Sequence, residues 1–583
     1  MEKDYSYKRL FSFFKQFLAP YRGRFWIATL LSATSSAVWL YNAYALAKVV
    51  DFVVEYKAGQ SLSPLYFVFT VWFVVMCTRY TTTFFARYIG MSMAEQAGKD
   101  AELYSIKHLS LLDISWHEKE NTGNKLKRID RGAQNIIDVT RLWLGGVVEV
   151  VVNIIGGFLI ISQFDKNLAF FLAIYLIVYF FIARFVRIRA VGALKDVNIK
   201  DEVIMGLLFE IVANIRTVKI LGMARKIIGL AKVETIDYTH KAKKRVFWFQ
   251  IGGLLRGVWD GIGRILLLIF VTWGIIQGYY EVGFLVLFYG YFNMLTNSIG
   301  GVADITQELA TYKANVGRLA EILDQPITID NEEGKVAFPQ NWESLIIRNL
   351  SFQYGDNSVL NGINLEIKKG EKVGIVGLSG AGKSTLFKLL LKEYENYGGE
   401  ILVGGVSLHA IKKSNYVDHI AAVLQETEVF NMSLKQNITL VSSEKVDDGS
   451  LFARALDIAH VKDFLPKLKE GVETLIGEKG VRLSGGERQR LGIARAVFKG
   501  PEILFLDEAT SHLDVESEQK IQDSLGKFFK DVTAVVIAHR LSTIKEMDRI
   551  IVIEHGKIIE EGTFDNLYAS NGRFRDFWDK QKI

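Results

Sequence analysis

Long apolar runs separated by polar breaks fill the first half of the chain, and then the period of the pattern changes. Phe25–Val50, with Lys48 as its one charge, is the first run. Others follow at about 65–88, 142–161, 168–182, 257–277 and 282–299. Each is near the ~20 residues a helix needs to cross a bilayer, so the pattern predicts six spans. The breaks are of two kinds. "EYKAGQSLS", "SQFDKN" and "GYYEVG" are short, whereas Ala86–Arg141 and Arg184–Arg256 are long and rich in Lys and Arg. Positive charge concentrates on the cytoplasmic side of membrane proteins, which puts the long breaks and both termini inside. No proline lies between Pro64 and Pro326, so helices are expected to run on out of the membrane without a kink. Residues 5–19 set Phe11, Phe14 and Leu18 among basic side chains, the pattern of an amphipathic helix lying on the inner membrane surface.

From Leu345 onward short apolar strands alternate with helical segments, as in a soluble α/β domain. The expected division is a membrane domain over 1–325, a linker over 326–344 and the α/β domain over 345–583. The net charge of +6 does not require nucleic acid, because the basic residues cluster beside the apolar runs, and six spans exclude a soluble ATPase working on DNA or ribosomes. The single cysteine, Cys77, excludes an intrachain disulfide framework and is expected to pack in its apolar run. "MEKDYSYKRL" contains acids, unlike a mitochondrial transit peptide, so a bacterial inner or plasma membrane is the expected location.

The fifth run opens with charges. Arg256, Asp260 and Arg264 repeat every four residues and share one helical face; Gly253, Gly257 and Gly261 share a second. Charge within a bilayer is costly and commonly marks a polar cavity. The glycine face is expected to pack on a neighbouring helix, and the charged face to look into a cavity that Arg79 and Glu149 join. The competing reading is a ladder whose charges satisfy one another at i, i+4. Trp248, Trp259 and Trp273 are candidates to touch a greasy cargo, or to act as interfacial anchors and packing.

The α/β half carries its chemistry in two stretches. "KVGIVGLSGAGKST" is an apolar strand leading into Gly377, Leu378, Ser379, Gly380, Ala381, Gly382, Lys383, Ser384 and Thr385. Such a loop cradles phosphates on backbone N–H groups, with Lys383 reaching the β and γ phosphates and Ser384 ligating Mg²⁺. In "EILFLDEAT", Asp507 ends a buried strand and is placed to hold the Mg²⁺ shell, while Glu508 is placed to polarise a water.

"LSGGERQRLGIARA", from Leu483, resembles the signature of the ATP-binding cassette (ABC) family, which pairs it with a P-loop upstream and "LDEAT" downstream. Other elements of the family follow along the whole chain. Tyr354 resembles the aromatic that stacks on adenine. Gln425, in "VLQETEVF", resembles the Q-loop glutamine that contacts Mg²⁺ and links the γ-phosphate to the cytoplasmic loops. Glu478 in "TLIGEKG" resembles the X-loop of exporters. Asp514 in "SHLD" resembles the D-loop, with His512 where alanine is usual, and His539 in "IAHRLSTI" resembles the switch histidine. "SWHEKENTGNKLKRI" and "EIVANIRTVKILG" resemble the exporters' cytoplasmic loops after the second and fourth spans.

The resemblance is to ABC exporter half-transporters, a group that includes the lipid A flippase, bacterial multidrug exporters and the halves of P-glycoprotein. It implies an α-helical six-span transmembrane domain followed by an α/β P-loop nucleotide-binding domain with the ABC helical subdomain. It also implies a dimer with a second copy or a homologous half-transporter. Each ATP, with Mg²⁺, would lie between Lys383 of one chain and Ser484, Gly485, Gly486 and Glu487 of the other. Membrane lipids and an amphipathic cargo are the other implied partners, and nucleic acid is not. All the catalytic positions hold the family's usual residue types, which favours two working sites over an ATP-gated channel or regulator.

Overall fold

The computed structural model describes residues 6–118, 122–477, 480–507, 526, 528, 532–537 and 544–581; Glu478, Glu508, Asp514 and His539 lie outside them. The chain forms two compact units, one of Met1–Leu109 with Gly123–Asp324, the other of Ser110–Thr122 with Gln325–Ile583.

The first unit is helical. A helix α1 (Tyr7–Leu18) and a 3-10 turn lead into α2 (Arg22–Trp39) and α3 (Tyr41–Glu55), which are separated only at Leu40. Then come α4 (Ser63–Ser110), the single-turn α5 (Ile114–His117, which belongs to the second unit), α6 (Thr122–Leu142), α7 (Val148–Phe164), α8 (Lys166–Ala213), the short α9 (Ile215–Ile220), α10 (Ala224–Ile276) and α11 (Gly283–Leu323). At ~1.5 Å per residue, the 48 residues of α4 or α8 reach about 72 Å, more than twice the ~30 Å hydrocarbon core. The spans therefore do run on as continuous helix into the long basic stretches. Among the described residues, five helical stretches, one of them running through α2 and α3 and one through α6 and α7, are long and apolar enough to cross a membrane by length and composition. The sixth, α11, is interrupted by Tyr289, Tyr291, Asn293, Thr296 and Asn297.

Burial in this unit runs outside-in. Phe67, Phe73, Phe170 and Phe181 stand exposed, whereas Leu172, Leu267, Val271, Phe288 and Leu295 form the core between helices. Exposed apolar side chains in such number suit a hydrocarbon surround and not water. In α1 the buried stripe is Leu10, Phe13, Phe14 and Phe17; Phe11, grouped with Phe14 by the sequence pattern, points outward. Cys77 is exposed, which corrects the expectation that it packs.

The third span contains a feature the sequence does not signal. Trp143–Val147 winds as a π-helix between α6 and α7. A wider turn frees backbone carbonyls, which in a membrane require another donor. Ser32 supplies one, its hydroxyl donating to the Leu144 carbonyl at 2.6 Å.

The glycine face of α10 also departs from expectation. A methyl built on Gly253, Gly257 or Gly261 meets nothing within 4 Å. The close helix contact runs instead through Gly252, against Val186 of α8, and Gly263, where an added Cβ would lie 2.7 Å from Cζ of Tyr175. The Tyr175 ring is buried and stacked on Trp259, so it has little room to yield. Gly263→Ala is expected to lower thermal stability by about 1–3 kcal/mol through overpacking. Gly257→Ala should be neutral or gain up to about 1 kcal/mol from helix propensity. Paired melting curves in detergent check this, and a harmless Gly263→Ala would contradict the packing.

The second unit holds a six-stranded sheet in the order Lys557–Gly562, Arg549–Glu554, Lys372–Val376, Thr533–Ile537, Ile503–Asp507, Ile420–Val423. The last five strands are mutually parallel, and the first is antiparallel to its neighbour. The parallel strands are near-continuous apolar runs, as sheets buried on both faces require. A four-stranded sheet that begins with Ser344–Tyr354 packs Leu345, Ile347 and Leu350 into a second core.

Candidate functional site

The parallel strands bring the P-loop and the acidic strand end to one edge. Ile375, Ile537 and Asp507 are in register across three adjacent strands, and Val423 pairs with Leu506 on the next. The P-loop after Val376, Asp507, and Gln425 two residues beyond Val423 thus line up along the carboxyl ends of the sheet. Ligands of open α/β sheets bind at that edge.

Glycine is required in the loop for stated reasons. Gly380 and Gly382 have φ of +80° and +104°, which β-carbon-bearing residues avoid. At Gly382 a Cβ would lie 2.8 Å from Leu360 and 3.1 Å from the Val359 carbonyl. The helix Lys383–Leu390 starts directly after, presenting its first N–H groups and the exposed Ser384 beside the loop. Lys383 is buried to 6 % exposure, and its ammonium donates to the carbonyls of Gly377 at 2.9 Å and Leu378 at 3.0 Å. A positive charge, a helix start and an open loop with no side chain at Gly380 make an anion cradle. The oxygen donors Ser384 and Asp507 suit Mg²⁺, which is commonly held by one carboxylate together with substrate phosphates.

Tyr354 ends its strand edge-on to Phe352 at 4.8 Å and to Tyr394 at 5.6 Å, with the Lys388 ammonium 5.9 Å from its ring centroid. It borders a cavity of about 550 Å³ lined also by Asp113, Glu118, Thr328, Glu393 and Tyr394. The Tyr394 hydroxyl donates to Glu118 at 2.8 Å. Burial, and then the Glu118 carboxylate, push that hydroxyl's pKa above the ordinary tyrosine value. Glu118 thereby emerges as a neighbour of the aromatic cluster, which sequence reading alone missed because the two stretches lie far apart in the chain.

The signature stretch forms the start of the helix Gly485–Lys499. Ser484 caps it: its Oγ accepts from the Glu487 N–H at 3.3 Å, and its own N–H donates to Glu487 Oε2 at 2.8 Å. This reciprocal capping box occupies Glu487 within its own chain, and Gly485 and Gly486, which carry no side chains, lie in the first turn between the two capping residues. Burial raises the Glu487 pKa, but the Ser484 hydrogen bonds and Lys467 at 3.4 Å outweigh it, holding the carboxyl below its usual range.

In the membrane unit the charged stripe is largely satisfied within the chain. Arg264 donates to Asp260 at 2.6 Å and to the Tyr289 hydroxyl at 2.7 Å, and Arg256 Nε donates to the Gly252 carbonyl at 3.2 Å. Arg79 lies 3.7 Å above the Trp39 ring, and Glu149 sits in the first turn of α7. Trp259 stacks on Tyr175, so it packs within the unit, while Trp273 is exposed. A cavity of about 790 Å³ opens beside the π-helix, lined by Arg87, Asp138, Arg141, Asp304, Glu308 and Tyr312 among others. Their only sequence signal is charge flanking the apolar runs.

Comparison with known proteins agrees with this geometry. The family model of the ABC transporter transmembrane region matches residues 25–299, and the family model described as ABC transporter matches 360–511. A Staphylococcus aureus protein named as a multidrug export ATP-binding/permease protein is 28% identical over 579 residues, covering 97% of this chain and 99% of its own. ABC transporter B family member 6 of Dictyostelium discoideum is 30% identical over 516 residues, 84% of this chain and 75% of its own. The solved structure of a bacterial Atm1-family ABC exporter with ATP bound superposes with a TM-score of 0.86 at 25% identity, covering 96% of this chain and 99% of that one. With both domain types in one polypeptide and a P-loop at the edge of its sheet, the chain belongs to the ABC transporter family, as a membrane-embedded, ATP-hydrolysing half-transporter of the exporter type that works as a dimer.

Proposed function

We propose that two copies of this chain assemble around two complete ATP sites and export, or flip, an amphipathic or lipid-like molecule from the inner side of a bacterial plasma membrane. The observation that carries this is the joining of a buried P-loop lysine, a strand-end aspartate and a capped signature helix in one chain with a membrane unit. Lys383 and the loop N–H groups bind the β and γ phosphates. Ser384, Asp507 and Gln425 would hold Mg²⁺, which would supply neutralisation of phosphate charge. Glu508 takes the proton of the attacking water, and His539 steadies the charge on the phosphoryl group. Ser484 and Gly486 of the second copy close over the γ-phosphate. Glu478, Asp514 and Gln425 pass closure on to the cytoplasmic helices, which change the access of the membrane unit as rigid bodies.

The cargo reading rests on the charge balance of the stripe. Asp260 neutralises one of two guanidiniums, so Arg256, Asp260 and Arg264 leave one net positive charge on a helix that is otherwise largely apolar from Gly257 to Ile276. That suits a greasy molecule with a modest polar head. The relative named for multidrug export supports the same direction.

Reconstituted in lipid without any other chain, the protein is expected to hydrolyse Mg-ATP steadily, and Glu508→Gln to lower turnover by about 10²–10⁴-fold. Absence of turnover in folded wild type would overturn the self-sufficient dimer in favour of a missing partner chain.

A further inference from the structure

We infer that the cytoplasmic ends of α8 and α10 form a seam that binds the phosphate headgroup of an anionic membrane lipid. The two helices pack along each other, and Gly252 of α10 seats against Val186 of α8. Counted from Lys166, about 20 residues of hydrocarbon end near Val186, so this contact lies where the inner leaflet meets water. On the two flanking stretches of α8 and α10 the charged residues are all cations. No acid occurs from Arg184 to Lys195 or from Tyr238 to Trp259.

Positive charge at this depth is ordinary for a membrane protein, but its placement here is not. Arg187 turns inward to Asp304 at 2.5 Å and Gln307 at 3.0 Å. Arg189 instead lies at the seam, its guanidinium 4.6 Å from the Phe185 ring and 5.0 Å from the Trp248 ring. A guanidinium held by its faces keeps its in-plane N–H groups directed outward, the geometry suited to a bidentate phosphate contact. Among the described residues, Arg189, Lys244 and Arg245 have no carboxylate partner. Arg245 sits two turns before Gly252, hence on the α8 side of its helix, and the exposed Lys244 adjoins it. Exposed Phe181, Phe185 and Phe247 flank the seam with surface for acyl chains. The site does not depend on what the protein transports.

The full chain, in detergent, is titrated with phosphatidylglycerol or phosphatidylcholine and the bound lipid is counted by native mass spectrometry. Phosphatidylglycerol is expected to bind at least about tenfold more tightly than phosphatidylcholine, and Arg189→Gln/Arg245→Gln to remove about tenfold or more of that affinity. Arg184→Gln/Lys243→Gln removes the same charge from faces turned away from the seam and is expected to leave affinity unchanged. Equal losses in both variants would reduce the effect to bulk charge and overturn the site. So would equal binding of phosphatidylcholine, or displacement of the lipid by millimolar inorganic phosphate. Unchanged melting of each variant shows that the losses are not unfolding.

Discussion

Lys383→Ala is expected to reduce ATP turnover by about 10²–10³-fold, about 3–4 kcal/mol of transition-state stabilisation, without loosening the fold. The reason lies in how its ammonium is held. It is nearly buried and held by two neutral carbonyls, those of Gly377 and Leu378, within the loop that faces the phosphates. Hydrogen bonds from a buried charge to neutral carbonyls add little to stability, because desolvation offsets what they return. Placed beside anionic phosphates in the same low-dielectric loop, it becomes a strong electrostatic contact. The measurement is steady-state turnover beside thermal melting. Wild-type turnover in the variant would remove the loop from the chemistry, and a fall in melting temperature matching the loss of activity would make the lysine structural.

The second large effect is expected in the membrane. Asp260→Leu removes the carboxylate 2.6 Å from Arg264 and leaves the guanidinium with the Tyr289 hydroxyl. Breaking a buried ion pair on one side is costly, and this pair is partly shielded, at 33 % and 25 % side-chain exposure. A loss of about 2 kcal/mol is expected, below the ~3–5 kcal/mol of a fully buried pair. Asp260→Leu/Arg264→Leu should recover most of it, giving a coupling of about 1–2 kcal/mol between the two sites. Melting of the four proteins in one lipid closes the cycle. If Asp260→Leu leaves stability untouched and abolishes transport, the stripe serves cargo and not its own ladder.

Much of this was legible because it is local. An apolar run of span length has few other uses, and a P-loop declares itself through glycines whose backbone angles no other residue tolerates well, such as Gly380 and Gly382. The capping box at Ser484 and Glu487 is likewise written in four residues. Periodicity was less informative where the answer depended on a neighbour. It showed that Gly253, Gly257 and Gly261 share a face, but not that Gly252 and Gly263 are the ones that meet α8. The same limit applies to α1, where the pattern grouped Phe11 with Phe14 but tertiary packing chose Phe13 and Phe17. The π-helix depends on a donor, Ser32, more than a hundred residues away, and no local pattern encodes it. Contacts between distant stretches, Glu118 with Tyr394 among them, are invisible for the same reason.

That last contact bears on how such a gene can be divided. Residues Ser110–Thr122 are encoded amid the membrane helices but fold with the ATP-binding unit. There Glu118 accepts from Tyr394, and Asp113 accepts from the backbone N–H of Ile329 at 3.1 Å. A reading frame cut near Gln325 would yield an ATP-binding polypeptide without those acceptors, its Tyr394 hydroxyl and Ile329 amide having lost their partners. The fused arrangement is thus more than an economy of transcription: the second half of the message encodes a surface that the first half completes.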